Sequence, residues 1–273
     1  MKDMAASDSV VPPQPRAYPG FNWMGFRTLY LKEVRRFWKV AMQTVAAPVL
    51  TSLLYMLIFT VATAGARQPI HGIPFRDFIA PGLVMMAILN NAFANSSSSI
   101  LQAKMMALTS DFLTPPLSPI EQTAGFVLGA VTRGLIVGLV TALAVAPFAD
   151  MRIAHPWAVV YFSVAASLIM AEIGVIGGLW SEKWDHLATV TNFVIMPLTF
   201  LSGTFYLVDR LPEPFRTGSQ FNPFFYLIDG FRYGFIAQPD GSIGIGVAAT
   251  AALVVGLGVW SWGLFRTGYR LKT

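Results

Sequence analysis

The sequence predicts an all-α polytopic membrane protein with six transmembrane helices, an N-terminal amphipathic interfacial helix and an outer re-entrant helical hairpin before the last span. Six long apolar stretches come after Lys39, and a spanning helix needs about 20 apolar residues at 1.5 Å rise each. Hydrophobic residues make up 55% of the chain and charged residues 12%, against roughly 25% charged in soluble domains. The basic residues gather beside the apolar stretches, so the net charge of +5 reads as membrane anchoring and not as a nucleic-acid surface.

Residues 1–21 hold no apolar run and carry Pro12, Pro13, Pro15 and Pro19. They read as a short disordered cytoplasmic tail without a signal-peptide pattern. In residues 22–39, Trp23, Phe26, Tyr30, Val34 and Phe37 recur at three- and four-residue steps, with Arg27, Lys32, Arg35, Arg36 and Lys39 between them. This pattern predicts an amphipathic helix in the headgroup region, aromatics dipping inward and cations meeting anionic lipid. A helix docked on a partner shares the pattern.

Residues 40–273 form the transmembrane domain, with spans expected at about 40–65, 78–103, 121–148, 155–180, 187–208 and 242–265. Alternation puts twelve basic residues on the side of both termini and six on the other. The positive-inside rule then places both termini in the cytoplasm. The cytoplasmic loop Lys104–Glu121 combines Met105, Met106, Leu108, Phe112 and Leu113 with Pro115, Pro116 and Pro119, which stop a helix and stiffen the loop. It reads as a docking element that presents Phe112 and Leu113, or as an interfacial loop on lipid. On the outer side, Gln220–Gln238 is aromatic but broken by Asn222-Pro223, Asp229 and Arg232. It is too short and too charged to span, which suits a re-entrant hairpin whose aromatics Phe224, Phe225 and Tyr226 form a gate surface. Asp229 and Arg232 are spaced to pair on one helix face.

Arg133 and Glu172 are the charged residues set well inside spans. A charge there costs on the order of 2.5–3.5 kcal/mol and needs a partner or water. Counting along the helices puts Arg133 near mid-bilayer and Glu172 past the midplane. A buried salt bridge between them is the leading reading, and a place in a hydrated pathway the second. Asn90, Asn91 and Asn95, followed by Ser96–Ser99, mark either a close helix–helix interface or the lining of a polar conduit.

No lysine follows a glycine, so a Gly-Lys-Ser/Thr phosphate loop is absent. There is no cysteine, and His71, His155 and His186 lack metal-ligand spacing. No catalytic constellation and no serial Asp/Glu/His proton relay is present, so this chain is not read as an enzyme or a proton-driven pump. Energy for active transport would come from another subunit.

Four stretches in order, Phe78–Asn95, Phe112–Pro119, Pro197–Pro212 and Asn222–Phe235, resemble the membrane subunit of type-2 ATP-binding-cassette exporters, the ABC-2 type permease family. The resemblance runs from about Trp23 to the C-terminus and is nearest to bacterial lipo-oligosaccharide, polysaccharide and drug export permeases. It implies a homodimer in the bacterial inner membrane, working with two copies of a separate ATPase that binds ATP and Mg. It also implies a coupling helix at Asp111, Phe112 and Leu113, although relatives often carry a glutamate pair where this chain has Ser110-Asp111. The alternative function is an ATP-independent channel or carrier.

Overall fold

The computed structural model describes residues 20–63, 72–208 and 212–271. Most of the expected tail, residues 1–19, lies outside them, as do 64–71, 209–211 and 272–273. The regular elements among the described residues are helices: α1 (Trp23–Trp38), α2 (Ala47–Thr63), α3 (Phe75–Met105), α4 (Ser110–Leu113), α5 (Pro119–Val145), α6 (Pro156–Trp180), α7 (Trp184–Val190), α8 (Met196–Phe200), α9 (Phe215–Gln220), α10 (Pro223–Ile236) and α11 (Ile243–Thr267). Among the described residues, five helical runs are long and apolar enough to cross a membrane, namely Met42–Ala62, α3, α5, α6 and α11.

The expected span at 187–208 differs. Its helix is broken into α7, a π turn at Thr191–Ile195 and α8, and it ends in turns from Leu201 onward. A second π turn, Met42–Ala46, precedes α2. Each π turn lies just ahead of a proline, Pro48 or Pro197. Proline lacks the N–H for the i→i−4 bond and crowds the preceding turn, and a local widening relieves both. Apolarity alone carries no mark of that break.

α3 lies at the centre, packed on α2, α5, α6 and α10. Small residues four apart let the backbones close in. A Cβ on Gly138 of α5 would lie 2.3 Å from Ile88, and one on Gly174 of α6 would lie 2.6 Å from the Phe93 carbonyl oxygen. α3 is 31 residues long, about half again the length needed to cross a ~30 Å core at 1.5 Å per residue. Its Lys104 Nζ donates to the Leu179 and Ser181 carbonyls, both at 2.6 Å, and so caps the end of α6.

α1 runs along α5 in the same direction. Leu29 packs over Gly125 and Glu33 over Gly129. The inward face is Leu29, Glu33 and Phe37, while Trp23 is 70% exposed. Tyr30 bonds Thr132 of α5 at 3.0 Å.

Candidate functional site

The loop between α3 and α5 is a tightly capped structure. Ser118 and Glu121 form a reciprocal capping box at the start of α5, with Pro119 in the first turn. Glu121 also accepts the Asn22 backbone N–H at 2.5 Å, and Asn22 Nδ2 donates to the Pro116 carbonyl at 3.2 Å. The start of α1 and the proline-rich loop are thereby one unit. They enclose a groove of about 290 Å³ whose walls include Gly25, Leu29, Asp111, Pro115 and Pro116.

Phe112 does not present itself to a partner, as its apolar character suggested. It is 1% exposed, edge-on to Phe126 at 5.3 Å, and Phe126 stacks on Phe265 of α11 at 5.8 Å. The Phe112 carbonyl accepts from Gln122 Nε2 at 3.1 Å. The apolar side chains left outward at this end include Met105, Met106, Leu108 and Leu113, with Ile120 at the start of α5. Asp111 is exposed beside them. The four-residue α4 turns Phe112 inward and its neighbours outward.

The polar residues of α3 form a buried seam. Glu33 Oε1 accepts from Ser99 Oγ at 2.8 Å, and Arg36 Nε lies 3.4 Å from Glu33 Oε2. Arg36 Nη2 donates to the Asn95 carbonyl and Oδ1 at 2.6 and 3.0 Å. One turn away, Arg133 Nη2 donates to Asn91 Oδ1 at 2.9 Å, while Asn90 is half-buried. Ser96 Oγ donates across to the Ala171 carbonyl of α6 at 2.8 Å. Much of this seam therefore joins helices within one chain.

Arg133 and Glu172 do not form the expected ion pair. Arg133 faces α1 and α3, whereas Glu172 faces α11, with Oε1 3.1 Å from where a Cβ on Gly258 would sit. Glu172 opens on an apolar groove lined by Leu168, Val254, Val259 and Trp262. Gly134, next to Arg133, lies level with Ser167 of α6, so Glu172 is more than a turn further along and also faces a different helix.

In the outer segment, Asn222 caps α10 through the Phe224 N–H at 3.1 Å, with Pro223 in the first turn. Its Nδ2 donates to the Leu198 carbonyl at 2.8 Å and to Ser202 Oγ at 2.9 Å, tying α10 to the end of α8. Phe224 and Phe225 are buried, which removes them from any exposed gate surface, and Tyr226 is half-buried near Gly246. Arg232 is 2% exposed. It donates to the Gly203 carbonyl at 2.6 Å, lies 3.5 Å from Asp240 and stacks 3.9 Å over the Phe78 ring. Gly203, with φ of 76°, turns its carbonyl where a side-chain-bearing residue is strained. Asp229 accepts the N–H groups of Asp240 and Gly241 at 2.8 and 2.9 Å, closing the turn into α11. Gly230 packs directly on the Phe162 ring of α6. α10 is thus a wedge held on several sides.

Glu33, Glu121, Asn22 and Asp240 were missed by the sequence reading. The Ser118-x-x-Glu121 pattern was available as a capping box. Glu33 stands four residues from both Leu29 and Phe37, a carboxylate in the middle of the inward stripe.

Residues 24–236 match the ABC-2 type transporter family. The chain belongs to that family. It is 34% identical over 253 residues to the inner membrane transport permease YadH of Escherichia coli K12, covering 92% of this chain and 98% of that one. It is 21% identical over 246 residues to nodulation protein J of Rhizobium leguminosarum bv. viciae, covering 86% and 90%. A second nodulation protein J, from Sinorhizobium fredii, is 22% identical over 191 residues, 68% of this chain and 71% of the relative. This ABC-2 chain is a membrane transport permease, and the family generally works with an ABC ATPase subunit.

Proposed function

We propose that this chain is the permease half of an ATP-driven exporter in the bacterial inner membrane. A homodimer would work with two copies of a separate ATPase that binds ATP and Mg. The observation that carries the reading is the near full-length similarity to an inner membrane transport permease. The cargo is a lipid-linked, glycan-like or amphipathic drug-like molecule. Both termini lie in the cytoplasm, in keeping with twelve basic residues against six. α7, the π turn and α8, continued by the turns to Val208, complete the sixth crossing, since about 17 residues is the short limit for a span.

The ATPase docks on the end that carries Asp111, Leu113 and the exposed methionines, with Pro115, Pro116 and Pro119 bracing the loop. Apolar anchors beside a charge suit such an interface. The seam of Asn90, Asn91, Asn95 and Arg133 borders the cargo path, and the α10 wedge closes its outer mouth. Gate movement belongs to the elements around the wedge, such as α9 with its exposed Phe215 and Phe221.

Purification of the tagged chain from native membranes should bring down an ABC ATPase. Inside-out vesicles holding both should take up an amphipathic dye only with ATP. Uptake without ATP, with no ATPase attached, would establish an ATP-independent carrier or channel instead.

A further inference from the structure

α1 and its C-cap residue carry Lys32, Arg35, Arg36 and Lys39 to a cavity of about 730 Å³ that also meets Gln102 of α3 and Arg133 of α5. That volume lies within the range of about 300–1,000 Å³ usual for ligand pockets. Five cations line it and, among the described residues, no carboxylate does. Glu33 stands behind Arg36 and offsets one charge. The rest converge, and Arg36 and Arg133 are close enough for their like charges to interact.

The Nε atoms of both Arg36 and Arg133 are closed off from solvent, Arg36 Nε against Glu33 Oε2 at 3.4 Å, so it is the outer charge of the cluster and not these atoms that a ligand would meet. Five like charges gathered around one cavity repel one another. An anion with several oxygens relieves that repulsion by meeting several of the cations at once. Phosphate matches the planar fork of arginine, and lysines add point charges around it. Leu31, Phe37 and Val40 form the apolar remainder of the wall. Trp38 and Met42 are exposed at the adjoining turn, where a lipid stem would run.

We propose that this cavity binds a phosphate-bearing headgroup, either of a bilayer lipid or of a soluble phosphate compound. The site is built by packing α1 along α5, so a helix that resembles a surface float instead forms one wall of a pocket. Its readout is binding, which stands apart from whether the chain exports anything.

The test uses the full chain, delipidated in detergent and then offered phosphatidylglycerol, with retained lipid measured by native mass spectrometry. Lys32→Gln/Arg35→Gln/Lys39→Gln removes three exposed cations of the cavity. Arg27→Gln/Arg152→Gln/Arg266→Gln removes three cations elsewhere. With about fivefold expected per cation near an anionic headgroup, the cavity variant should bind on the order of a hundredfold more weakly. The matched variant should bind as the unmodified chain does. Inorganic phosphate separates the sources: displacement of the lipid means a soluble phosphate compound can occupy the site, and failure to displace assigns it to the membrane lipid. Equal retention in both variants overturns the proposal. A second reading needs no variant, because retention by the unmodified chain should fall as salt rises. Retention that ignores salt also overturns it.

Discussion

α3 and α11 are both long helices, of 31 and 25 residues, but they are placed oppositely. Of the apolar stretch that qualifies each as a span, 78% is buried in α3 and 11% in α11. The helix with the asparagines and serines is the buried one, and the more uniformly apolar helix faces outward. In lipid there is no hydrophobic gain from hiding leucine, so polar groups and close backbone approach decide what goes inside. α2 behaves like α11, with Leu50, Leu54, Leu57, Ile58 and Val61 outward.

The sharpest way to break that contrast is to remove a polar partner of α3. Glu33→Leu leaves Arg36 without its carboxylate and should destabilise the chain by about 3–5 kcal/mol, as for other broken buried pairs. The double variant Glu33→Leu/Arg36→Met should recover part of the loss. Thermal unfolding in detergent, tracked by fluorescence size exclusion, measures both. If Glu33→Leu melts with the unmodified chain, the seam is not holding α1 to α3.

At the loop after α3, one residue faces the core and the next faces outward. Phe112→Ala empties a packed aromatic site and should cost about 3–5 kcal/mol. Leu113→Ala should leave the melting temperature in place and reduce co-purification of the ATPase. If Phe112→Ala proves stable and Leu113→Ala leaves the partner attached, the inward and outward assignments are both wrong.

The glycines compare the two helices most directly. Gly174→Ala presses a methyl onto the Phe93 carbonyl and the Ser96 hydroxyl of α3, an overpacking worth roughly 1–3 kcal/mol. Gly256→Ala in α11 meets nothing within 4 Å and should be neutral or slightly stabilising, as alanine favours helix. Equal melting shifts in the two variants would show that α11 has a close partner.

Much of this was legible in the chain. Five of the six spans expected from apolar length are long continuous helices among the described residues, because crossing a bilayer is a one-dimensional demand on length and composition. The π turn before Pro197 was less legible, since a proline predicts a disturbance but not where the helix absorbs it. The site residues were located by type and not by facing. Asn222 and Pro223 do break the chain and cap α10, a local effect of two neighbouring residues. Whether Phe224 or Phe112 points inward depends on helix rotation against partners far away in sequence, and no periodicity within a short helix reports that. Glu33 was hidden for the opposite reason. A carboxylate between arginines and lysines reads as a surface charge until Gly129 and Ser99 are known to lie over it.

The same gap between depth and facing yields the finest prediction. Arg133 and Glu172 are the charges set well inside the expected spans, and neighbouring depths within side-chain reach make a pair of them attractive on paper. In the fold Arg133 bonds Asn91 and looks into the basic cavity beside α1, while Glu172 looks toward Gly258 and the apolar groove of α11. Each is set among different neighbours, and they share no partner. Independent sites add within about 0.3–0.5 kcal/mol, whereas contacting residues deviate by more. Arg133→Leu should therefore disturb the seam through Asn91, and Glu172→Leu should be benign or stabilising because it places an apolar side chain on an apolar groove. The double variant should equal their sum within about 0.5 kcal/mol. A clear rescue in the double variant would mean that the two charges find each other in some state of the transport cycle.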